Sequence, residues 1–532
     1  MSESPTIAGF LANSVARRGN EHALGYIRSG NLHWLTWQQL NEQATQLAAM
    51  LRIAGVSPGD RVAQVSENRY EWIITDLALH LAGAVHVPIH VTLSAEQIAE
   101  QITDSGARLV FVSSREMLTK FADRLPPGKV FFMHDEQADR QWGPPLGHLT
   151  AVPRPPAPSS EPPALATILY TSGTTGRPRG VMLSHANLAT NASALVDSFG
   201  EMREELRLCV LPLSHIYART CDLYTWIYRG SQLVVAESRE TLDRDLAIVR
   251  PTALNAVPFL YQRVADRIRT ATTNAVEQAA ALKKFFGGQI EILNCGGAPL
   301  APEIETWYAS RGMPVLLGYG LTETSPVISA STPLAHRRGA VGRPVANVDV
   351  QIAEDGEILS RGSNTMLGYW NDEDATNEII RDGWLHTGDL GELDADGYLF
   401  IRGRKKELVV LSTGKKVTPT RVELLLTASP LIEQAIVFGD NLCGLVALIV
   451  PSACGLAQPN GATDYHAFYT AEINRCLQSA AREEQIHDFF LLDRPFSIER
   501  GELTGKLSLC RSVIAQNFAA ELEKISPQRH GA

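Results

Sequence analysis

No run of about eighteen apolar residues occurs anywhere in the 532-residue chain, so nothing in it reads as a membrane-spanning helix. Residues Met1 to Asn20 lack the continuous apolar segment of a secretion signal, and Arg17 and Arg18 follow its apolar residues instead of preceding them. Cysteine is sparse and scattered: Cys209, Cys221, Cys295, Cys443, Cys454, Cys476 and Cys510 form an odd set without a Cys-x-x-Cys pair. That spacing indicates neither a disulfide framework nor a zinc site. Positive charge is also short, since 48 Lys and Arg against 58 Asp and Glu leave a net charge of −10. Such a balance argues against a protein that coats nucleic acid, though not against a local basic pocket for a nucleotide. Low-complexity sequence is confined to Trp142 to Pro163, where Pro153, Pro155, Pro156, Pro158, Pro162 and Pro163 predict an extended surface connection. These absences predict a globular cytoplasmic protein, with peripheral membrane contact left open.

What is present is a chain too long for one ordinary core, with 45% hydrophobic and 20% charged residues. Leu40, Ala44, Leu47 and Leu51 recur at helical spacing after Thr36, an N-cap candidate, and Gly55 with Pro58 ends that helix. A strand at Arg61 to Val65, a helix at Tyr70 to Ala82, a strand at Val85 to Ile89, a helix at Ala95 to Asp104 and a strand at Leu109 to Val112 follow. This alternation predicts an α/β fold of parallel sheets covered by helices, with ligands collecting where the carboxyl ends of strands open. Further strands are expected at Leu165 to Leu169, Leu208 to Leu213, Leu233 to Ala236, Leu254 to Val257, Ile290 to Leu293 and Val315 to Leu317. From Val341 the texture becomes short strands, with Asp355-Gly356 as a hairpin turn, which predicts a small β-rich subdomain over about 338–402. The charged break Arg402 to Lys406 places the main boundary at 404/405. Beyond it a compact α+β domain, 405–532, is expected, with strands at Gln434 to Phe438 and Val446 to Val450 and helices at Thr420 to Thr427, Ala471 to Glu483 and Arg511 to Glu523.

The most chemical stretch runs from Tyr170 to Val181, between a strand and the start of a helix at Ser184-His185. Thr171, Ser172, Gly173, Thr174, Thr175, Gly176 and Arg179 supply hydroxyls, a cation and backbone that can approach closely, the makings of a polyphosphate cradle. It is not a Walker loop, because Gly176 is followed by Arg177-Pro178 where Lys and Ser or Thr are needed. A Gly/Thr-rich surface turn is the plain alternative.

Four further stretches stand at separated positions: Asn294-Cys295-Gly296-Gly297-Ala298-Pro299, Gly318-Tyr319-Gly320-Leu321-Thr322-Glu323-Thr324, Trp384-Leu385-His386-Thr387-Gly388-Asp389-Leu390 and Glu502-Leu503-Thr504-Gly505-Lys506-Leu507. Together with the glycine-rich stretch they resemble, in order and approximate spacing, the adenylate-forming (AMP-binding) superfamily. The resemblance runs from about Gly9 to about Ala519 and is nearest in texture to long-chain fatty acyl-CoA synthetases. One departure is Arg179, where that family usually has lysine, a point charge in place of a planar fork.

What the resemblance implies is specific. Gly297, Ala298 and Pro299 would wall an adenine pocket, Tyr319 would stack on the base, and Thr322 would touch the α-phosphate. Glu323, with the hydroxyl of Thr174 nearby, would hold the magnesium ion that bridges ATP phosphates. Asp389 and Arg404 would hold the ribose, and Lys406 would be the hinge of the second domain. Lys506 would be the catalytic lysine, and its plain alternative is a solvated loop lysine. Gly414, in the segment Gly414-Lys415-Lys416-Val417, would shape a pantetheine tunnel. His215, within Leu211 to Tyr217, would line the acid channel or simply pack. Trp226 would gate an acyl tunnel or sit in the core. The implied reaction needs ATP, Mg2+ and CoA, and joins a carboxylic acid, expected to be a medium- or long-chain fatty acid, to CoA through an acyl-adenylate. Rival readings are a ligase that passes the adenylate to an acyl carrier protein, a β-lactone-forming hydroxy-acid synthetase, and a non-catalytic nucleotide sensor.

Overall fold

The computed structural model describes residues 5–124, 130–132, 165–171, 178–200, 204–456, 465–478, 480–497, 499–503 and 509–525. The site-bearing elements, numbered in chain order, are strands β1 (Leu165–Thr171), β2 (Arg179–Ser184), β3 (Leu206–Cys209), β4 (Ala253–Ala256), β5 (Ile292–Cys295), β6 (Val315–Gly320), β7 (Val327–Ala330), β8 (Trp384–Leu393) and β9 (Leu399–Arg404), with helices α1 (His185–Phe199) and α2 (Pro419–Thr427).

Local chemistry starts several helices where the sequence places them. Thr36 and Ser94 each close a reciprocal capping box with a glutamine three residues on, and Ser184 does the same with Asn187 at the head of α1. Helix Tyr70–Ala82 ends at Gly83 in the left-handed conformation. Around these helices the strands gather into two large sheets. One has seven strands, in which Val85–Ile89, Arg61–Val65, Leu109–Val112 and Val130–Phe132 run parallel. At its other end β1 and β2 form an antiparallel hairpin. The second sheet has nine strands, with β6-β5-β4-β3 parallel at its centre and antiparallel strands at both ends.

The main core lies between the sheets, where Trp37, Trp72, Leu188 and Trp226 are fully buried. Trp226 stacks on Trp37 at 4.9 Å and belongs to that core, not to a gate. Beside it sits a buried ionic knot in which Asp76 receives Arg219 and lies 2.7 Å from His86. Burial opposes ionisation of Asp76, but Arg219 and the neighbouring histidines hold its carboxyl well below the usual range.

A five-stranded antiparallel sheet follows, built from Val348–Ile352, Glu357–Gly362, β8, Ile380–Arg381 and β9, with Gly356 at positive φ in its first turn. After β9 the chain forms a separate C-terminal unit, in which strands Ile432–Phe438, Leu445–Pro451 and Ile486–Leu491 are flanked by α2 and the helix Tyr465–Cys476.

Three expectations need correction. The strand expected at Leu208 to Leu213 stops at Cys209, because Pro212 has no N–H to give a ladder and Asn68 instead bonds Leu211 O at 2.6 Å and Leu213 N at 2.8 Å. The helix expected at Ala471 to Glu483 spans Tyr465–Cys476, and Gln485 bonds the carbonyls of Leu477 and Ala480 past its end. The helix expected at Arg511 to Glu523 breaks at Phe518, whose ring packs against Phe496. The proline-rich connection expected at Trp142 to Pro163 lies outside the described residues. No helix among the described residues is long and apolar enough to cross a membrane.

Candidate active site

Strand ends from all three sheets of the large unit open on one cleft of about 3830 Å³, whose far wall comes from the C-terminal unit. Thr171 at the end of β1 and Arg179 at the start of β2 are register partners, and both line the cleft. The loop between them, carrying Ser172, Gly173, Thr174, Thr175 and Gly176, lies outside the described residues. The residues that flank it, Thr171 and Arg179, are thus the part of this stretch placed at the cleft.

The end of β5 delivers Gly296, Gly297, Ala298 and Pro299 to the same cleft. A β-carbon on Gly296 would stand 3.0 Å from the Tyr217 ring, so a larger residue would displace that ring. The end of β6 delivers Tyr319, whose hydroxyl donates to Asp389 Oδ2 at 2.7 Å. Arg404 Nε stands 3.0 Å from Asp389 Oδ1, as the pairing of β8 with β9 puts Asp389 directly opposite Arg404. Each carboxylate oxygen of Asp389 thus has its own donor. Burial raises the Asp389 pKa in spite of Arg404, and burial beside Asp389 pushes the Tyr319 phenol well up.

Thr322 and Glu323 follow on a short turn lining the cleft. Glu323 Oε1 accepts a 2.8 Å hydrogen bond from the hydroxyl of Tyr369. The guanidinium of Arg179 lies 5.3 Å from the centre of the Tyr369 ring, with its Nε 3.6 Å from Asp372. Tyr369 was not legible as a site residue, since its partner Glu323 is 46 positions away in sequence. Among the described residues no three His, Cys, Asp or Glu side chains group as a metal site. Glu323 is a single carboxylate on the cleft, the kind of group that with substrate oxygens can hold magnesium.

His215 lines the cleft with its ring 4.7 Å from that of His90. Lys405 and Lys406 line it too, with Lys405 paired to Asp355 and Glu357. Lys506 lies outside the described residues. The flanks of its loop, Leu503 and Leu509, bridge each other and line the cleft. Just before them, Glu502 bonds Arg494 at 2.7 and 2.8 Å and Asn517 at 3.0 Å. Gly414 sits at positive φ in the turn between Val409–Val410 and Lys416–Val417, outside the lining of the cleft.

The architecture is that of an adenylate-forming enzyme: ATP-bound MatB from Rhodopseudomonas palustris matches with a TM-score of 0.78 at 25% identity, covering 96% of this chain and 99% of that one. The family described as AMP-binding enzyme matches residues 11–370, and the AMP-binding enzyme C-terminal domain matches 406–529. The chain belongs to the AMP-binding enzyme family. It is 33% identical to the long-chain-fatty-acid–CoA ligase FadD15 of Mycobacterium tuberculosis, over 91% of each chain. It is 31% identical to a feruloyl-CoA synthase of Amycolatopsis sp, over 82% of this chain and 87% of that one. Its activity is that of an AMP-forming acid–CoA ligase working through an adenylate.

Proposed function

We propose that the protein activates a medium- or long-chain fatty acid with ATP and transfers the acyl group to CoA, releasing AMP and pyrophosphate. The observation that carries this reading is the convergence of Tyr319, Asp389, Arg404 and Glu323 on one cleft. In it Asp389 and Arg404 hold the ribose, Tyr319 covers the adenine against the Gly297 to Pro299 wall, and Thr322 meets the α-phosphate. Glu323 holds magnesium, which when bound neutralises phosphate charge. Thr171, the loop Ser172 to Gly176 and Arg179 cradle the departing pyrophosphate. The acid carboxylate attacks the α-phosphorus, forming the mixed anhydride and expelling pyrophosphate. Positioning and charge neutralisation do most of the work, because no proton has to move at this step. Lys506 stabilises the developing charge, and His215 lines the path of the acid.

The thiol of CoA then displaces AMP. For this second step the C-terminal unit turns about Lys406, withdrawing Lys506 and presenting the Gly414 turn. Pyrophosphate exchange with Lys506→Ala tests the assignment, with an expected fall of roughly 10²–10³-fold. Exchange at the wild-type rate would remove Lys506 from its role.

A further inference from the structure

Behind the Gly296 wall the cleft continues between one face of the nine-stranded sheet and two helical segments. Tyr217, Cys221 and Thr225 line it from one side, on a helical run whose middle, Arg219–Tyr224, is π-helical. On the sheet side, alternation along β3 turns Arg207 and Cys209 into the cavity and sends Leu208 into the core beyond. Leu195 and Phe199 of α1, with Leu316 and Val327, make part of the wall apolar.

The rest is not apolar. A hydrogen-bonded ladder crosses the sheet face from Asn294 to Asn255 at 2.8 Å and from Asn255 to Asp222 at 2.7 Å. At its end Arg207 bonds the Cys221 carbonyl and Glu205, each at 2.8 Å, and Glu205 also faces Arg229 at 3.4 Å. Glu205, Arg207 and Asp222 are all buried, and Glu205, Arg207 and Arg229 line the cavity. Burial pushes the Asp222 acid up to about 7 against the pull of Arg207. An alkyl end laid against such groups would take away their remaining water and return no hydrogen bond. A hydroxyl does better, because it donates to a carboxylate and accepts from a guanidinium at once.

We propose that the Glu205–Arg207 pair is the specificity-determining floor of the acid pocket, and that the acid taken is a medium-length acyl chain carrying a hydroxyl at the end remote from its carboxylate. This rests on the acid-ligase reading and names its substrate class. The test is ATP-dependent AMP formation with decanoate, 10-hydroxydecanoate, 10-methoxydecanoate and hexadecanoate. The wild-type protein should favour 10-hydroxydecanoate over decanoate by about tenfold or more in kcat/KM, with the methoxy acid close to decanoate. Replacing the ion pair together, Glu205→Leu with Arg207→Met, keeps the net charge of the cluster, leaving Arg229 and Asp222 as its charged members, and should reverse the preference. Equal or better use of decanoate or hexadecanoate by the wild-type protein would overturn the proposal, whether or not the double variant folds. If plain acids are turned over as well as or better than 10-hydroxydecanoate, the acid-ligase reading stands and only the floor is lost. If no acid yields AMP, both fall.

Discussion

Tyr369 shows how much rests on one side chain that touches no expected ligand. Its hydroxyl holds Glu323 Oε1, and Arg179 lies over its ring, so two groups assigned to the triphosphate meet on one phenol. The arginine that replaces the family lysine therefore has a use for its planar shape, which a lysine stacks less well. Tyr369→Phe keeps the ring for Arg179 and removes the hydroxyl that donates to Glu323. Its expected effect is a loss of about 10- to 100-fold in kcat/KM for ATP and a higher magnesium concentration for half-maximal rate, with little change in melting temperature. A magnesium titration of both proteins checks this. An unchanged titration would show that Glu323 keeps its position without Tyr369.

Among the elements, the turn that joins β6 to β7 is the least forgiving. A β-carbon on Gly320 would fall 1.6 Å from the backbone oxygen of Pro326, so Gly320→Ala must push the two strands apart. The cost is expected to be about 3 kcal/mol or more, read as a drop in the urea midpoint, and Tyr319, Thr322 and Glu323 would move with the turn. Glu502, ahead of the stretch that carries Lys506, is held differently. The bond from Arg494 is the main cause that lowers the Glu502 pKa, from 4.5 to about 2, with Asn517 and the Ser497 amide helping against the opposing effect of burial. A carboxylate depressed in this way stabilises the folded protein above pH 4.5, and that stabilisation is lost as pH falls toward 2. Glu502→Gln should therefore lower stability at pH 7 and flatten the acid limb of a pH–stability curve. Parallel curves for the two proteins would contradict that.

At the scale of the whole molecule the question is how the two units meet. Leu424 of α2 packs against the core behind the nine-stranded sheet, and Arg421 and Glu423 beside it line the cleft. Leu424→Ser should loosen this contact without disturbing either core. The expected readout is faster tryptic cleavage at the basic stretch Arg402 to Lys406, with the main thermal transition within a few degrees of wild type. Cleavage at the wild-type rate would mean that Leu424 does not hold the units together.

What the sequence by itself determined are the features whose causes lie a few residues away. The ends of the helices Tyr70–Ala82 and Ala95–Asp104 were legible to the residue because caps, glycines and helical periodicity are local, and the glycine-rich strand ends marked where the chain opens on the cleft. The tertiary structure alone decided which distant groups meet: Tyr369 with Glu323, Asp389 with both Tyr319 and Arg404, and Asn255 with both Asn294 and Asp222. It also decided where α/β regularity fails, as at Phe518, whose burial against Phe496 breaks a helix that periodicity alone would continue. Such pairings depend on strand order and on the competition of side chains for a shared interior, and neither is written in the neighbours of any one residue.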